Sequence, residues 1–288
     1  MWVSIFGPRV RLVVGFWKRY KKNRAAVLGL AVLVILIFLS VIAHWIAPYP
    51  PLLTGVAPPL LPPSAKYLMG TDDLGRDNFS AVLFGTRTSL LIGVLTVAIS
   101  SIIGVLVGAS SGYAGGIVDD ILMRITEIFL VIPRLLLALV FVSFFGSSIY
   151  NVIIVVAMLS WPPTARLLRA EFLSMKEREF VEAAKGIGLK SRAIVMGEIL
   201  PNCMTPVIVT ASMMIASAIL IESGLSFLGL SDPNMPSLGY LLNNAQKYIR
   251  KAYWLAVFPG LAILITTLSL NLVGDGLSDA LNPRLKER

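Results

Sequence analysis

Residues 88–110 read TSLLIGVLTVAISSIIGVLVGAS, a run of 23 residues without a charged side chain. A helix of about 20 predominantly apolar residues is long enough to cross the hydrocarbon core of a bilayer. The run therefore predicts a transmembrane helix. Further apolar runs meet the same criterion, and the sequence predicts an all-α, polytopic membrane helix bundle with six transmembrane helices, at 25–47, 88–110, 119–145, 149–165, 204–230 and 254–274.

The composition agrees with a membrane bundle. The chain is 56% hydrophobic and 14% charged, whereas a soluble domain is about 45–50% apolar and about 25% charged. The formal net charge of +9 raises the alternative of nucleic-acid binding. Because Lys and Arg cluster beside the apolar runs, the charge indicates a membrane surface and no nucleic acid. The first run lacks a small-x-small cleavage signal, so we interpret it as an uncleaved anchor.

Orientation follows from the basic residues. Lys and Arg concentrate in the tail 1–24, in the loop 166–203 and in the tail 275–288. Cytoplasmic loops retain the excess of Lys and Arg. Both termini and the loop 166–203 are therefore expected in the cytoplasm of a cell (inner) membrane protein, and the loops 48–87 and 231–253 are expected on the extracellular or periplasmic side.

Prolines predict departures from straight helices. Pro133 lies inside the third predicted span and removes one backbone donor, which predicts a kink there. Pro162 and Pro163 predict a bend where the fourth span leaves the membrane.

The loop 166–203 is too polar to cross the bilayer, yet it is rich in helix formers. Its centre contains Glu182, Ala183 and Ala184, a negative side chain followed by two of the smallest ones. On a helix these residues form a narrow edge that fits a groove on another protein.

The same loop contains signals for a helix end. Gly188 can adopt the positive φ that ends a helix, and Ser191 can cap the next one. Leu200 and Pro201 then mark the entry into the fifth span.

This arrangement resembles the EAA loop of ABC importer permeases, whose pattern is Glu-Ala-Ala, three residues, Gly and a later Ile-x-Leu-Pro. The matching residues are Glu182, Ala183, Ala184, Gly188, Leu200 and Pro201. Glu198 stands where the general pattern has Ile, a departure that concerns a helix face and leaves the turn intact.

Three more segments, 70–77 (GTDDLGRD), 225–230 (LSFLGL) and 279–284 (DALNPR), resemble one subfamily. It is the C-type permease of dipeptide, oligopeptide and nickel importers, with type I architecture. Several separated matches in the right order are more specific than a lone Glu-Ala-Ala.

The resemblance implies a heteromeric importer with a second, paralogous permease, two ATP-binding subunits and an extracytoplasmic substrate-binding protein. The sequence has no G-x-x-x-x-G-K-[ST] phosphate loop. ATP and Mg²⁺ are therefore expected on the ATPase partners, and the chain is expected to be neither an enzyme nor the holder of a cofactor. Peptide is the default cargo, with nickel or oligosaccharides left open.

Two charged residues fall inside predicted spans. An intramembrane charge usually faces a partner or a water-filled cavity, so Arg134 either lines the substrate path or extends its long stem to the interface. Glu222 either contacts substrate or the partner permease, or it packs between helices with hydrogen bonds. Arg124 and Glu127 are three residues apart and are expected to form a structural pair.

The sequence gives little support for a metal site, a hydrolase or an ion-coupled transporter. The aspartates Asp72, Asp73 and Asp77 lack the ligand spacing of a calcium loop and predict an ordered turn before an interfacial helix. His44 is the only histidine, so we predict no metal site and no hydrolase triad. A secondary transporter or channel, with Arg134 and Glu222 in ion coupling, is the alternative function, although no inverted repeat supports it.

Overall fold

The computed structural model describes residues 8–281, and side chains from residue 14 onward. Asn282, Pro283 and Arg284 of the segment 279–284 lie outside the described residues, as do the ends of both predicted tails.

Within this range the chain forms thirteen α-helices, one short π-helical segment (Val195–Ile199) and one 3₁₀ turn (Gln246–Tyr248). The α-helices are α1 (Pro8–Tyr20), α2 (Arg24–Val41), α3 (Ala43–Ile46), α4 (Asn78–Ala114), α5 (Gly116–Val131), α6 (Arg134–Phe145), α7 (Ile149–Ser160), α8 (Pro162–Lys176), α9 (Glu179–Gly186), α10 (Ser191–Ile194), α11 (Leu200–Phe227), α12 (Leu238–Ala245) and α13 (Trp254–Leu281). The predicted all-α class is confirmed.

Five helical stretches of the described chain are long and apolar enough to cross a membrane, and a bent helix pair makes a sixth when it is counted as one broken span. The five are Arg24–Val41, Asn78–Ala114, Ile149–Lys176, Ser191–Phe227 and Trp254–Leu281. The sixth joins α5 and α6. Each predicted span coincides with one of these six.

The third span is broken, where the sequence predicted a kink within a continuous helix. The axes of α5 and α6 meet at 89°. Pro133 disfavours helical dihedrals in the residue before it, and Ile132 is extended (φ −84°, ψ 132°). Pro133 then takes the N-cap position of α6. Arg134 is thus the first residue of a helix and does not lie inside one.

The helix that contains the second predicted span is longer than that span. Helix α4 begins at Asn78, ten residues before the predicted start, and runs for 37 residues. The Asp77 carboxylate caps it by accepting a hydrogen bond from Ser80 N at 2.9 Å. The loop predicted at 48–87 therefore ends at Asp77, and Arg87 lies within the helix.

Helix α4 lies in the middle of the bundle and contacts α7, α8 and α11. Three glycines at four-residue spacing, Gly104, Gly108 and Gly112, let α8 approach closely. A Cβ added at Gly108 would lie 2.5 Å from Ala165 O, and one at Gly112 would lie 2.6 Å from Phe172 Cβ. Small residues allow such close contact between membrane helices.

The two prolines predicted to bend the chain after span four lie at a helix start, where they disrupt few hydrogen bonds. Pro162 and Pro163 occupy the first turn of α8, where a missing N–H costs no helical hydrogen bond. Helices α7 and α8 together form one stretch of spanning character, Ile149–Lys176. The helical stretch therefore continues to Lys176, past the predicted end of the fourth span at 165, so the first part of the loop predicted at 166–203 is a direct helical extension of that span.

Candidate functional site

Helix α9 carries the Glu-Ala-Ala segment at the end of the bundle where α8 leaves the membrane stretch. Glu182 and Ala183 are exposed. Three large apolar side chains of the same segment are exposed as well: Ile187, at 79%, Phe180 and Leu189. An exposed acid among unpaired apolar side chains is typical of a protein contact surface. We call α9 with Ile187, Gly188 and Leu189 the coupling surface.

Ala184 has a different role from Ala183. It is 7% exposed and, with Val181, packs against Leu168 and Phe172 of α8. Only the first alanine of the pair lies on the exposed edge, where the sequence prediction had placed both. The second is small because it faces the chain's own core.

A Schellman motif ends α9. Leu189 N donates to Ala184 O at 3.2 Å and Gly188 N donates to Lys185 O at 3.0 Å. Gly188 has φ +79°, so the predicted positive φ is confirmed. No neighbour lies within 4 Å of an added Cβ, and the requirement for glycine is therefore conformational.

The chain returns to the membrane through α10, the π-helical segment and α11. The predicted cap at Ser191 is wrong, because Ser191 is the first residue of α10 and Lys190 holds the N-cap position without a side-chain hydrogen bond. Glu198 is exposed in the π-helical segment, and Asn202 Nδ2 donates to its carbonyl oxygen at 2.6 Å. Pro201 is in the first turn of α11, where proline is tolerated.

A single hydrophobic cluster joins these elements to the bundle. Its buried members are Leu168, Phe172, Val181, Ala184, Ile194, Ile199, Cys203 and Val207. Leu200 packs against its edge, as do Val105, Ala109 and Tyr113 of α4. The coupling surface therefore rests on α8, α11 and the end of α4.

An ion pair next to this cluster links α8 to α5. Arg169 Nε and Nη2 donate to the two carboxylate oxygens of Asp119 at 2.6 and 2.5 Å. Ser111 of α4 also donates to Asp119. The bidentate geometry is the strong form of such a pair. Sequence reasoning missed it because the two residues are 50 positions apart.

Glu222 is enclosed between helices. It is 2% exposed and accepts hydrogen bonds from Ser226 Oγ at 2.7 Å and, more weakly, from Ser89 Oγ of α4 at 3.4 Å. Leu238 N, at the start of α12, donates to the same Ser89 Oγ at 3.2 Å. These contacts agree with the packing interpretation of Glu222, and its contact with substrate or the partner permease stays a prediction.

Two charge predictions remain, the position of Arg134 and the pair of Arg124 with Glu127, and the two alternatives for Arg134 stay predictions. Arg134 is half-buried at the α5–α6 break. Arg124 Nη1 lies 3.4 Å from Glu127 Oε2, so the predicted pair is confirmed. With Asp120, Arg166 and Arg169, this pair lines an open cavity of about 520 Å³ between α5 and α8. Sequence reasoning missed the cavity, although Asp120, Arg124 and Glu127 repeat at helical spacing.

The aspartates of segment 70–77 form an ordered turn, as predicted. Asp72 Oδ1 accepts from Leu74 N at 2.9 Å and from Arg76 N at 2.8 Å. Asp77 caps α4. In the described part of the chain, no three His, Cys, Asp or Glu side chains are arranged to hold a metal ion.

Comparison with known proteins gives two family matches. Residues 101–287 match the binding-protein-dependent transport system inner membrane component. Residues 12–63 match the N-terminal TM domain of oligopeptide transport permease C.

Individual relatives cover almost the whole chain. The dipeptide transport system permease protein DppC of Haemophilus influenzae is 40% identical over 98% of this chain and 98% of its own length. The Escherichia coli K12 protein of the same name is 43% identical over 94% and 93%. The Bacillus subtilis protein is 36% identical over 98% and 89%. Taken with the helical membrane bundle and the exposed Glu-Ala-Ala helix, these matches show that the chain belongs to the family of binding-protein-dependent transport system inner membrane components, as a permease of the dipeptide and oligopeptide subfamily.

Proposed function

We propose that the chain is one of two permease subunits of an ATP-driven peptide importer, and that it forms half of the translocation pathway. The observation that carries the proposal is the coupling surface, an exposed apolar and acidic helix fastened to the membrane bundle by a buried core. The relatives named above are dipeptide permeases, which supports peptide as the cargo.

The proposed assembly has four kinds of component besides lipid. This chain pairs with a paralogous permease, and two ABC ATPases bind ATP and Mg²⁺ below them. A substrate-binding protein delivers the peptide from outside. The concentration of Lys and Arg in 1–24, 166–203 and 275–288 supports cytoplasmic termini and a cytoplasmic coupling surface in the cell membrane.

The packing suggests how motion is transmitted. An ATPase that moves α9 also moves Val181 and Ala184, which press on Leu168 and Phe172 of α8. Close-packed interiors transmit such displacement because they deform little. On α8, Arg169 holds Asp119 at the start of α5. The motion therefore reaches α5 and, through the break at Pro133, changes access to the pathway.

The test is transport by the complete complex in vesicles. In the double variant, Glu182→Lys reverses the charge at one position of the coupling surface. Gly188→Val strains the backbone at the other, since valine is disfavoured at φ +79°. ATP-driven dipeptide uptake should fall by about tenfold or more, the factor that corresponds to ~1.4 kcal/mol of lost coupling. The amount of permease in the membrane should stay unchanged.

Glu177→Lys is the matched control, because Glu177 is an exposed acid just before α9 and outside the coupling surface. It should retain uptake. Normal uptake by the double variant would contradict the proposed role of α9. Uptake that needs no ATP would instead indicate the motor-independent transporter.

A further inference from the structure

The cavity between α5 and α8 has the dimensions of a ligand site. Its volume is about 520 Å³, within the range of about 300–1,000 Å³ that is usual for small-molecule sites. Its lining is mostly charged: Asp120, Arg124 and Glu127 come from α5, and Arg166 and Arg169 come from α8. Met123 and Ala170 complete it.

Helix α5 separates charged from apolar exposed positions. Asp120, Arg124 and Glu127 follow one another at four and three residues and share one stripe. A neighbouring exposed face is apolar and consists of Ile117, Ile121, Ile125 and Ile128. A charged side chain in the hydrocarbon layer costs at least about 2.5–3.5 kcal/mol. The isoleucine face is therefore the one suited to lipid, and the charged stripe needs water or a polar partner.

The charges in the cavity are balanced and loosely held. Arg169 is already neutralised by Asp119, which leaves two acids, Asp120 and Glu127, and two cations, Arg124 and Arg166. Arg124 and Glu127 form a pair of 3.4 Å with side chains 83% and 59% exposed. An exposed pair of this kind contributes only about 0–1 kcal/mol. Both partners are therefore available to an incoming ligand.

We propose that this cavity binds a free peptide by its two charged ends during passage. The terminal ammonium group lies against Asp120 and Glu127, and the terminal carboxylate accepts hydrogen bonds from Arg124 and Arg166, whose guanidinium groups suit bidentate contact with carboxylates. A solute with negative charge alone, such as a phosphate, would be repelled by the two acids. The inference rests on the proposed function, since it names the pathway's substrate as a zwitterion.

The experiment measures protection of a cysteine placed in the cavity. Met123→Cys is made in the permease complex purified without the binding protein, so that the binding protein's own specificity does not enter. A small charged thiol reagent labels this cysteine from water, and labelling of this chain is read by mass spectrometry. The parent chain is the blank, because its single cysteine, Cys203, is buried. Lys22→Cys, an exposed site outside the cavity, is the accessible control.

Free glycyl-leucine at about twice its Kd should slow labelling of Met123→Cys about threefold, the factor (1 + [L]/Kd) that mass action gives. The same dipeptide with an acetylated amino end and an amidated carboxyl end should give no protection. Adding Asp120→Asn with Glu127→Gln, or Arg124→Gln with Arg166→Gln, should abolish protection and leave the Lys22→Cys control unaffected.

Three results would overturn the inference: no labelling of Met123→Cys, equal protection by the free and the blocked dipeptide, or dissociation of the partner permease in the charge variants. The last would show that the stripe is a contact between subunits. ATP-driven dipeptide uptake by the unmodified complex with its binding protein is measured in parallel. If uptake occurs without protection, only the proposed peptide site in the cavity is contradicted. Absence of uptake contradicts the proposed function.

Discussion

Two buried carboxylates contact α4 at well-separated positions. Glu222 contacts Ser89 in the first third of the helix, and Asp119 contacts Ser111 in its last turn. The two serines are 22 residues apart, or about 33 Å at about 1.5 Å per residue. Glu222 receives its side-chain hydrogen bonds from hydroxyl groups of serines. Asp119 is bound by a guanidinium group.

The difference indicates two kinds of joint. At the Glu222 end, a network of hydroxyl groups joins α4 and α11 and continues to α12 through Ser89 and Ser237. Such a network does not need a charge to hold it. At the Asp119 end, an ion pair joins α5 to α8 beside the coupling surface. Removing one partner of a buried pair leaves an uncompensated charge, so this joint should be the more sensitive to substitution.

The largest effect is expected for Arg169→Ala. It leaves the Asp119 carboxylate unpaired while that side chain is 11% exposed, and breaking a buried pair costs about 3–5 kcal/mol. Because the Arg169 side chain is itself 34% exposed, we expect about 3 kcal/mol. The measurement is the free energy of unfolding in mixed micelles during a detergent titration.

Arg166→Ala, one turn earlier on α8 and exposed, is the matched control and should change stability by less than about 0.5 kcal/mol. The double variant Asp119→Ala, Arg169→Ala should recover part of the loss. A single Arg169→Ala variant as stable as the double variant would show that the pair does not hold this joint.

Asp119→Asn should cost about 2 kcal/mol. The amide keeps the shape of the carboxylate, but it loses the charge that Arg169 contacts through two nitrogens. Hydrogen bonds to charged groups contribute about 1.5–3 kcal/mol. The same unfolding titration measures the change, and a loss below that of Glu222→Gln would reverse the comparison.

Gly108→Ala tests the packing at the Asp119 end of α4. The added Cβ would lie 2.5 Å from the backbone oxygen of Ala165, which cannot move aside alone, so we expect a loss of about 1–2 kcal/mol from overpacking. Gly93→Ala, toward the Glu222 end, has side-chain atoms of Ile219 and Ile215 as its nearest contacts, at 2.8 and 3.1 Å. Because side chains give way more readily than backbone, it should cost less than Gly108→Ala.

Gly260→Ala, a helical position with no neighbour within 4 Å of an added Cβ, is the control for helix propensity and should not destabilise. The three variants are compared by their thermal unfolding midpoints in one detergent. Equal midpoints for Gly108→Ala and Gly93→Ala would mean that α8 is free to shift away from α4.

Glu222→Gln is expected to have the smallest effect, about 0.5 kcal/mol or less. Glutamine has nearly the same volume. Its amide oxygen accepts from Ser226 Oγ in place of Oε1, and its NH2 group, in place of Oε2, donates to Ser89 Oγ. Glu222→Leu, which leaves those buried hydroxyls without their acceptor, should cost about 1–3 kcal/mol in the same titration. A glutamine variant as unstable as the leucine variant would show that the negative charge itself is required.

The sequence predictions succeeded where the interacting residues are close together in the sequence. The six spanning stretches, the positive φ of Gly188 and the pair of Arg124 with Glu127 depend on residues close in sequence, and the structure contains them all. The third span was predicted with a kink at Pro133 but as a continuous helix, and continuity was wrong because Pro133 also fixes Ile132 in an extended conformation. Helix α4 begins at Asn78, before the span predicted from 88, because Asp77 caps it there.

By itself, the sequence determined a helical membrane bundle with one polar helical loop, and its resemblance to a family indicated a permease. A bilayer sets the minimum length of an apolar run that spans it, and caps and turns depend on adjacent residues. Both can therefore be predicted from short stretches of sequence. Only the tertiary structure decided that Ala184 serves the core, that Glu222 is enclosed by serines, and that Asp119 meets Arg169 beside a charged cavity. Those contacts join residues up to 133 positions apart, and they exist only because the helices pack at particular angles and distances that no run of neighbouring residues specifies.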